Sequence, residues 1–190
     1  GVMANALRAG LEDEAVDATW CEYDATSQHS VILSARDDGS RTTLWQPQPF
    51  VDDSVSNKLA RFLDGLEIVL MDATDPVLSA LTVRLCRERG ITTILDTGSG
   101  RPWTPALLPE IDYVIASAKY AAKATPQVGV DAAAALWQGG CRRVFAITQG
   151  ELGGVWAVGP SPAAAGHWDA LKVRAIDSCG AGDVFHGAFA

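Results

Sequence analysis

The sequence predicts an α/β fold, a mostly parallel sheet flanked by helices with a small antiparallel β lid ahead of it. Three observations carry that reading. From residue 65 onward, short runs rich in Val, Ile and Leu alternate with longer amphipathic stretches, the pattern of strands covered by helices. Over residues 19–46 the pattern changes to short strand-like runs, two of them separated by Asp37-Asp38-Gly39-Ser40, a hairpin signal. The polar, Gly-bearing segments follow the apolar runs, and in open α/β sheets ligands gather beyond the carboxyl ends of strands.

Taken in order, residues 2–8 read as a helix that ends near Gly10, and residues 19–23, 29–34 and 41–45 as short strands. Gln46-Pro47-Gln48-Pro49 marks the return to the core. Then come strand 67–71, helix 75–89, strand 91–96, short helix 104–109, strand 113–116, helix 130–138 and strand 144–148, with a second apolar run closing at Trp156. Asp75 suits the first of these helices as a cap, and Gly90 suits its end. The apolar spacing of Val184, Phe185, Ala188 and Phe189 predicts a buried helix at the end. The expected organisation is one α/β domain over residues 1–190, comprising a β lid segment at 19–46 and an α/β core at 65–190.

Composition narrows the function classes. With 48% apolar and 20% charged residues the chain is an ordinary globular protein. A net charge of −8 argues against nucleic acid or acidic lipid as a partner, because those surfaces need clustered Lys and Arg. No stretch approaches the roughly 18 apolar residues of a membrane span. Cys21, Cys86, Cys141 and Cys179 lack C-x-x-C spacing, and His29, His167 and His186 lack metal-ligand spacing, so reduced thiols in a cytoplasmic protein are expected.

The strongest chemical signal is Asp177-Ser178-Cys179-Gly180-Ala181-Gly182-Asp183. Gly180, Ala181 and Gly182 allow a tight turn with bare amides, and a helix N-terminus of that kind is an anion site. Asp183 would sit in the first turn beside the anion. There it can take a proton from an attacking hydroxyl, which points to phosphoryl transfer to an alcohol. Cys179 leaves a reactive-cysteine enzyme as an alternative, although no His partner stands nearby in sequence. Two further segments end strands in polar turns: Thr148-Gln149-Gly150-Glu151-Leu152-Gly153, which could be a plain hairpin, and Asp96-Thr97-Gly98-Ser99-Gly100-Arg101. The plain reading of Asp96 is a loop cap and of Arg101 a solvated charge.

The string D-S-C-G-A-G-D-V-F-H-G resembles the second signature of the ribokinase-like (PfkB) carbohydrate kinases, D-T-x-G-A-G-D-x-F-x-G, and stands nearer the ketohexokinase-like and bacterial sugar kinase members. The resemblance implies a Rossmann-like three-layer fold, Asp183 as the catalytic base, and Gly180, Ala181 and Gly182 as the anion hole. Thr148, Gly150 and Gly153 are similar to the V-T-x-G-x-x-G segment that borders the nucleotide in that family. Asp96 and Arg101 are similar to its D-x-x-x-R/K-x-x-W loop, a candidate substrate or phosphate loop. The resemblance further implies ATP with Mg²⁺, a small sugar substrate, a candidate monovalent-cation site near Asp177, and a β lid that can serve as a homodimer surface. One departure stands out: Ser117 and Tyr120 occupy the positions of the family's N-x-x-E pair, so no metal residue is assigned. Neither end matches a complete member, so the chain reads as an internal fragment, inactive alone. A non-catalytic sugar- or nucleotide-binding module of the same fold and a nucleoside kinase are the alternatives.

Overall fold

The structure is a computed structural model that describes residues 2–18, 29–35, 41–46, 50–159, 164–175 and 177–190. It divides into two compact units, Gly1–Phe50 and Val51–Ala190. The expected strand at 19–23, the hairpin turn at 37–40 and the proline boundary at 47–49 lie outside the described residues.

The first unit holds helix α1 (Val2–Asp13) and strands β1 (Ser30–Ser34) and β2 (Arg41–Trp45). The helix runs through Gly10, its expected end, to Asp13, because an isolated helical glycine weakens a helix by only about 1 kcal/mol. β1 and β2 pair antiparallel, Val31 opposite Leu44 and Leu33 opposite Thr42. Side chains alternate across a strand, so Val31, Leu33 and Leu44 share one face, and all three are exposed.

The second unit contains helix α2 (Ser56–Phe62), strand β3 (Ile68–Met71), helix α3 (Pro76–Arg89), strand β4 (Thr92–Asp96), helix α4 (Thr104–Leu107), strand β5 (Tyr113–Ser117), helices α5 (Ala118–Ala124) and α6 (Gly129–Gln138), strands β6 (Val144–Thr148), β7 (Gly154–Val158) and β8 (Ala164–Trp168), and helix α7 (Ala181–Phe189). The sheet runs β3-β4-β5-β6-β7-β8, with β3 to β6 parallel and β7 and β8 added antiparallel at one edge. The expected fold class holds. Helices α2 and α5 and strand β8 carry no strong signal in the sequence. β8 reads Ala-Ala-Gly-His-Trp, short of the β-branched residues that mark a strand, and forms because β7 offers it an edge.

Local chemistry explains the element ends that position the site. Asp75 Oδ1 accepts the Val77 and Leu78 amides at 2.9 Å each, Pro76 fills the first helical position, and Gly90 closes α3 at φ 70°. The main core gathers Leu95, Val114, Ala116, Phe145, Ile147, Val155 and Ala157 from one sheet face against Ala132, Ala133 and Leu136 of α6. Alternation turns Asp96, Tyr113 and Trp168 to the opposite face. There α7 rests, with Phe189 edge-on to Tyr113 and Phe185 stacked on Trp168.

α7 departs from its expected burial. Val184 is 73% exposed and Phe189 39%, because the helix meets the sheet along one side only, through Phe185, His186 and an edge of Phe189.

Candidate active site

The loop after β4 is fastened from several directions. Asp96 Oδ1 accepts the Gly98 amide at 2.6 Å, Ser117 Oγ donates to the Gly98 carbonyl at 2.6 Å, and Lys123 Nζ donates to the Ser99 carbonyl at 3.3 Å. Gly100 adopts φ +81°, and a Cβ there would lie 2.6 Å from the Tyr120 ring, so glycine is required for both conformation and space. The Arg101 amide donates to Thr104 Oγ1 at 2.9 Å. Asp96 is therefore a loop cap, and its carboxylate also faces α7.

Ser117 does two further structural jobs. Its hydroxyl accepts the Tyr120 amide at 3.1 Å and so caps α5, while Tyr120 is buried and burial pushes its phenol up. Positions 117 and 120 thus hold the 97–101 loop, and neither offers the carboxylate or amide that would organise a metal and its waters. Among the described residues no cluster of three or more His, Cys, Asp or Glu could hold a metal ion.

The segment after β6 is a hairpin. Gln149 N–H donates to the Gly153 carbonyl at 2.8 Å, Thr148 Oγ1 donates to the Ala116 carbonyl at 3.3 Å, and β7 returns antiparallel. Gly150 and Gly153 both take positive φ, 61° and 83°. A Cβ on Gly153 would collide with the Trp168 main chain, and one on Gly154 with the Trp168 ring. Trp156 lies over Gly166 in the same manner, a Cβ there coming within 2.8 Å of the indole. The two tryptophans lie flat against the sheet because glycines face them across the strands. That leaves the Trp168 face free to stack on Phe185, with centroids 5.8 Å apart and planes at 11°.

α7 begins at a tight turn. Asp177 Oδ1 accepts the Cys179 amide at 2.8 Å, Ala181 N–H donates to the Ser178 carbonyl at 3.3 Å, and Gly180 sits in the left-handed region at φ 75°. The Val184 amide closes the first helical bond onto the Gly180 carbonyl at 2.9 Å. The Gly182 and Asp183 amides have no partner among the described residues. They are two of the donors every helix leaves unsatisfied at its start, aligned with the positive end of the helix dipole, and a phosphate oxygen fits them. Open space surrounds Gly182. Asp183 is exposed at the third helical position, and its Oδ2 would lie 3.9 Å from a Cβ on Gly180, so the carboxylate leans over the turn. Cys179 is exposed, and among the described residues no base contacts its thiol.

The structure thus sets Asp96 against α7 at the carboxyl edge of the sheet and pairs Thr148 with Ser117 across β6 and β5. It also places two residues there that motif reading passes over. Trp168 anchors α7 through Phe185. His186 is buried, its Nδ1 2.5 Å from the Gly182 carbonyl and its Nε2 3.4 Å from Asp96 Oδ1. The i, i+4 spacing of Gly182 and His186 was the available signal, since that interval places both on one helix face.

The fold is similar to that of several solved structures, among them two kinases. A protein called Sa239 superposes with a TM-score of 0.79 at 20% identity, over 98% of this chain and 63% of that one. A ribokinase from Arabidopsis thaliana, solved with ribose and ATP, gives 0.65 at 18% identity over 85% and 55%. A nucleoside kinase from Burkholderia thailandensis, solved with inosine, gives 0.73 at 17% identity over 98% and 61%. The chain therefore spans less than two thirds of each of these relatives. No curated protein sequence matches it. The pfkB family carbohydrate kinase pattern runs over residues 2–190, and the chain belongs to that family.

Proposed function

We propose that the chain is the catalytic portion of an ATP-dependent carbohydrate kinase. The observation that carries this is the start of α7, where two amides without a partner among the described residues stand beside the exposed Asp183 carboxylate. In this reading an acceptor hydroxyl gives its proton to Asp183 as its oxygen bonds to the γ-phosphorus. The bond from that phosphorus to the bridging oxygen breaks, and ADP leaves with the electron pair. The Gly180-Ala181-Gly182 turn holds the phosphoryl oxygens, with the dipole of α7 opposing the charge that builds there. Thr148, Gly150 and Gly153 border the nucleotide, and Asp96 and Arg101 line the acceptor side. Mg²⁺ enters with ATP as part of the substrate and shields phosphate charge; Ser117 and Tyr120 are committed to the loop and do not hold it.

Further parts of the reading follow the family. The 19–46 segment acts as a lid over the acceptor, residues 65–190 form the nucleotide-binding core, and the apolar face of Val31, Leu33 and Leu44 pairs two copies. A monovalent cation sits near Asp177, the enzyme is cytoplasmic, and this chain alone, spanning 55–63% of the three relatives, turns over little. A nucleoside is the second acceptor class, favoured by the likeness to a nucleoside kinase. A non-catalytic binding module, the third reading, is favoured by the reassigned positions 117 and 120.

The test is ADP release from ATP by the full-length gene product across a panel of hexoses, pentoses, sugar acids and nucleosides. Asp183→Asn is expected to lower kcat by about 10²- to 10⁴-fold while nucleotide binding persists. Absence of turnover with every acceptor would leave the binding module as the surviving reading.

A further inference from the structure

His186 has a ring geometry that its surroundings complete in one way. The residue is 7% exposed and lies on the sheet side of α7, three positions after Asp183. Nδ1 stands 2.5 Å from the Gly182 carbonyl oxygen. A carbonyl only accepts, so Nδ1 carries a proton. Nε2 is buried without a hydrogen bond, yet it stands 3.4 Å from Asp96 Oδ1. A bare lone pair facing a carboxylate oxygen is repelled and leaves a buried polar atom unsatisfied. A proton on Nε2 turns the same approach into an attraction between imidazolium and carboxylate, an ion pair at 3.4 Å.

We infer that His186 is a positioning residue of the transfer site, spanning from the Gly182 carbonyl to Asp96 with a proton on each ring nitrogen. The inference rests on the kinase reading for its catalytic consequence. Gly182 C=O and Asp183 N–H belong to one planar trans peptide and point in opposite directions. Holding the carbonyl toward His186 therefore aims the Asp183 amide away from the helix body, out of its N-terminus, where the phosphoryl group is expected. The same ring reaches the end of β4, where Asp96 also holds the Gly98 amide at 2.6 Å. One side chain thus couples the anion turn to the loop bearing Arg101. Phe185 supports the helix from the adjacent position, its ring centroid 6.2 Å from that of His186.

Two measurements on the full-length gene product test this. The first is the ¹⁵N spectrum of histidine-labelled protein, with His29 and His167 assigned by substitution. His186 is expected to show Nδ1 protonated and Nε2 protonated, and Asp96→Ala is expected to move the Nε2 signal toward the bare-nitrogen range while Nδ1 keeps its proton. An Nε2–H tautomer with a bare Nδ1, or spectra indifferent to Asp96→Ala, overturns the linkage. The second is a kinetic cycle of His186→Phe, Asp96→Ala and the double variant. Each single change is expected to lower kcat about tenfold with the ATP KM held within about twofold, and the double to fall no more than about twofold below the worse single, as coupled groups do. Independent, multiplying losses overturn the coupling. If the unsubstituted protein phosphorylates no acceptor, the kinase reading falls, and the ring spectra, which need neither turnover nor a folded variant of His186, still decide the linkage.

Discussion

Asp112 illustrates how a single buried charge is used away from the site. It lies at the end of the sheet opposite the candidate active site, is 5% exposed, and accepts the Thr93 amide at 3.1 Å and the Thr93 hydroxyl at 3.2 Å through Oδ2. Arg143 Nε approaches its Oδ1 at 3.3 Å. Asp112→Ala would strand a buried amide and leave Arg143 without its carboxylate, so a loss of about 2–4 kcal/mol is expected, read as a lower midpoint in urea. The thiols give a second residue-scale prediction. Burial pushes Cys86 and Cys141 up. The folded protein then keeps protons that the unfolded chain releases above about pH 8.5, so stability falls as pH rises through that value. Replacing both by Ala is expected to flatten the alkaline limb of stability against pH. In the unsubstituted protein a thiol reagent should modify exposed Cys179 well before half-buried Cys141 or buried Cys86.

At the scale of elements, the β6–β7–β8 edge decides where α7 lies. Gly154 leaves room for Trp168 to lie flat, Trp168 stacks on Phe185, and Phe185 fixes the helix that carries Asp183. Gly154→Val is expected to lift Trp168 off the strand and speed amide exchange in α7 by about tenfold, a change hydrogen–deuterium exchange would detect. Trp168→Ala should have the same effect by removing an aromatic pair worth about 0.5–1.5 kcal/mol beyond its buried area. Unchanged exchange in both variants would show that α7 is held by other contacts. Gly153, in the segment similar to the nucleotide-bordering one, therefore has a packing reason beside any ligand reason. Gly153→Ala must collide with the Trp168 backbone whether or not a nucleotide is bound.

For the whole molecule, the exposed face of Val31, Leu33 and Leu44 supports one prediction about assembly. Leu44→Lys is expected to shift the full-length protein from dimer to monomer in sedimentation, and a species unaltered by that change would count against pairing through the lid. Most strands and helices after residue 65, α5 and β8 excepted, were legible in the sequence, because apolar period and caps such as Asp75 and Gly90 are local properties. So was the tight turn before α7, since a left-handed glycine and the first-turn amides depend on a few adjacent residues. Strand β8, the flat tryptophans, the commitment of Ser117 and Tyr120 to the loop, and the line from Gly182 through His186 to Asp96 were decided by tertiary structure alone. Each depends on side chains or edges that meet only once the sheet has formed, at separations such as the 90 positions between Asp96 and His186.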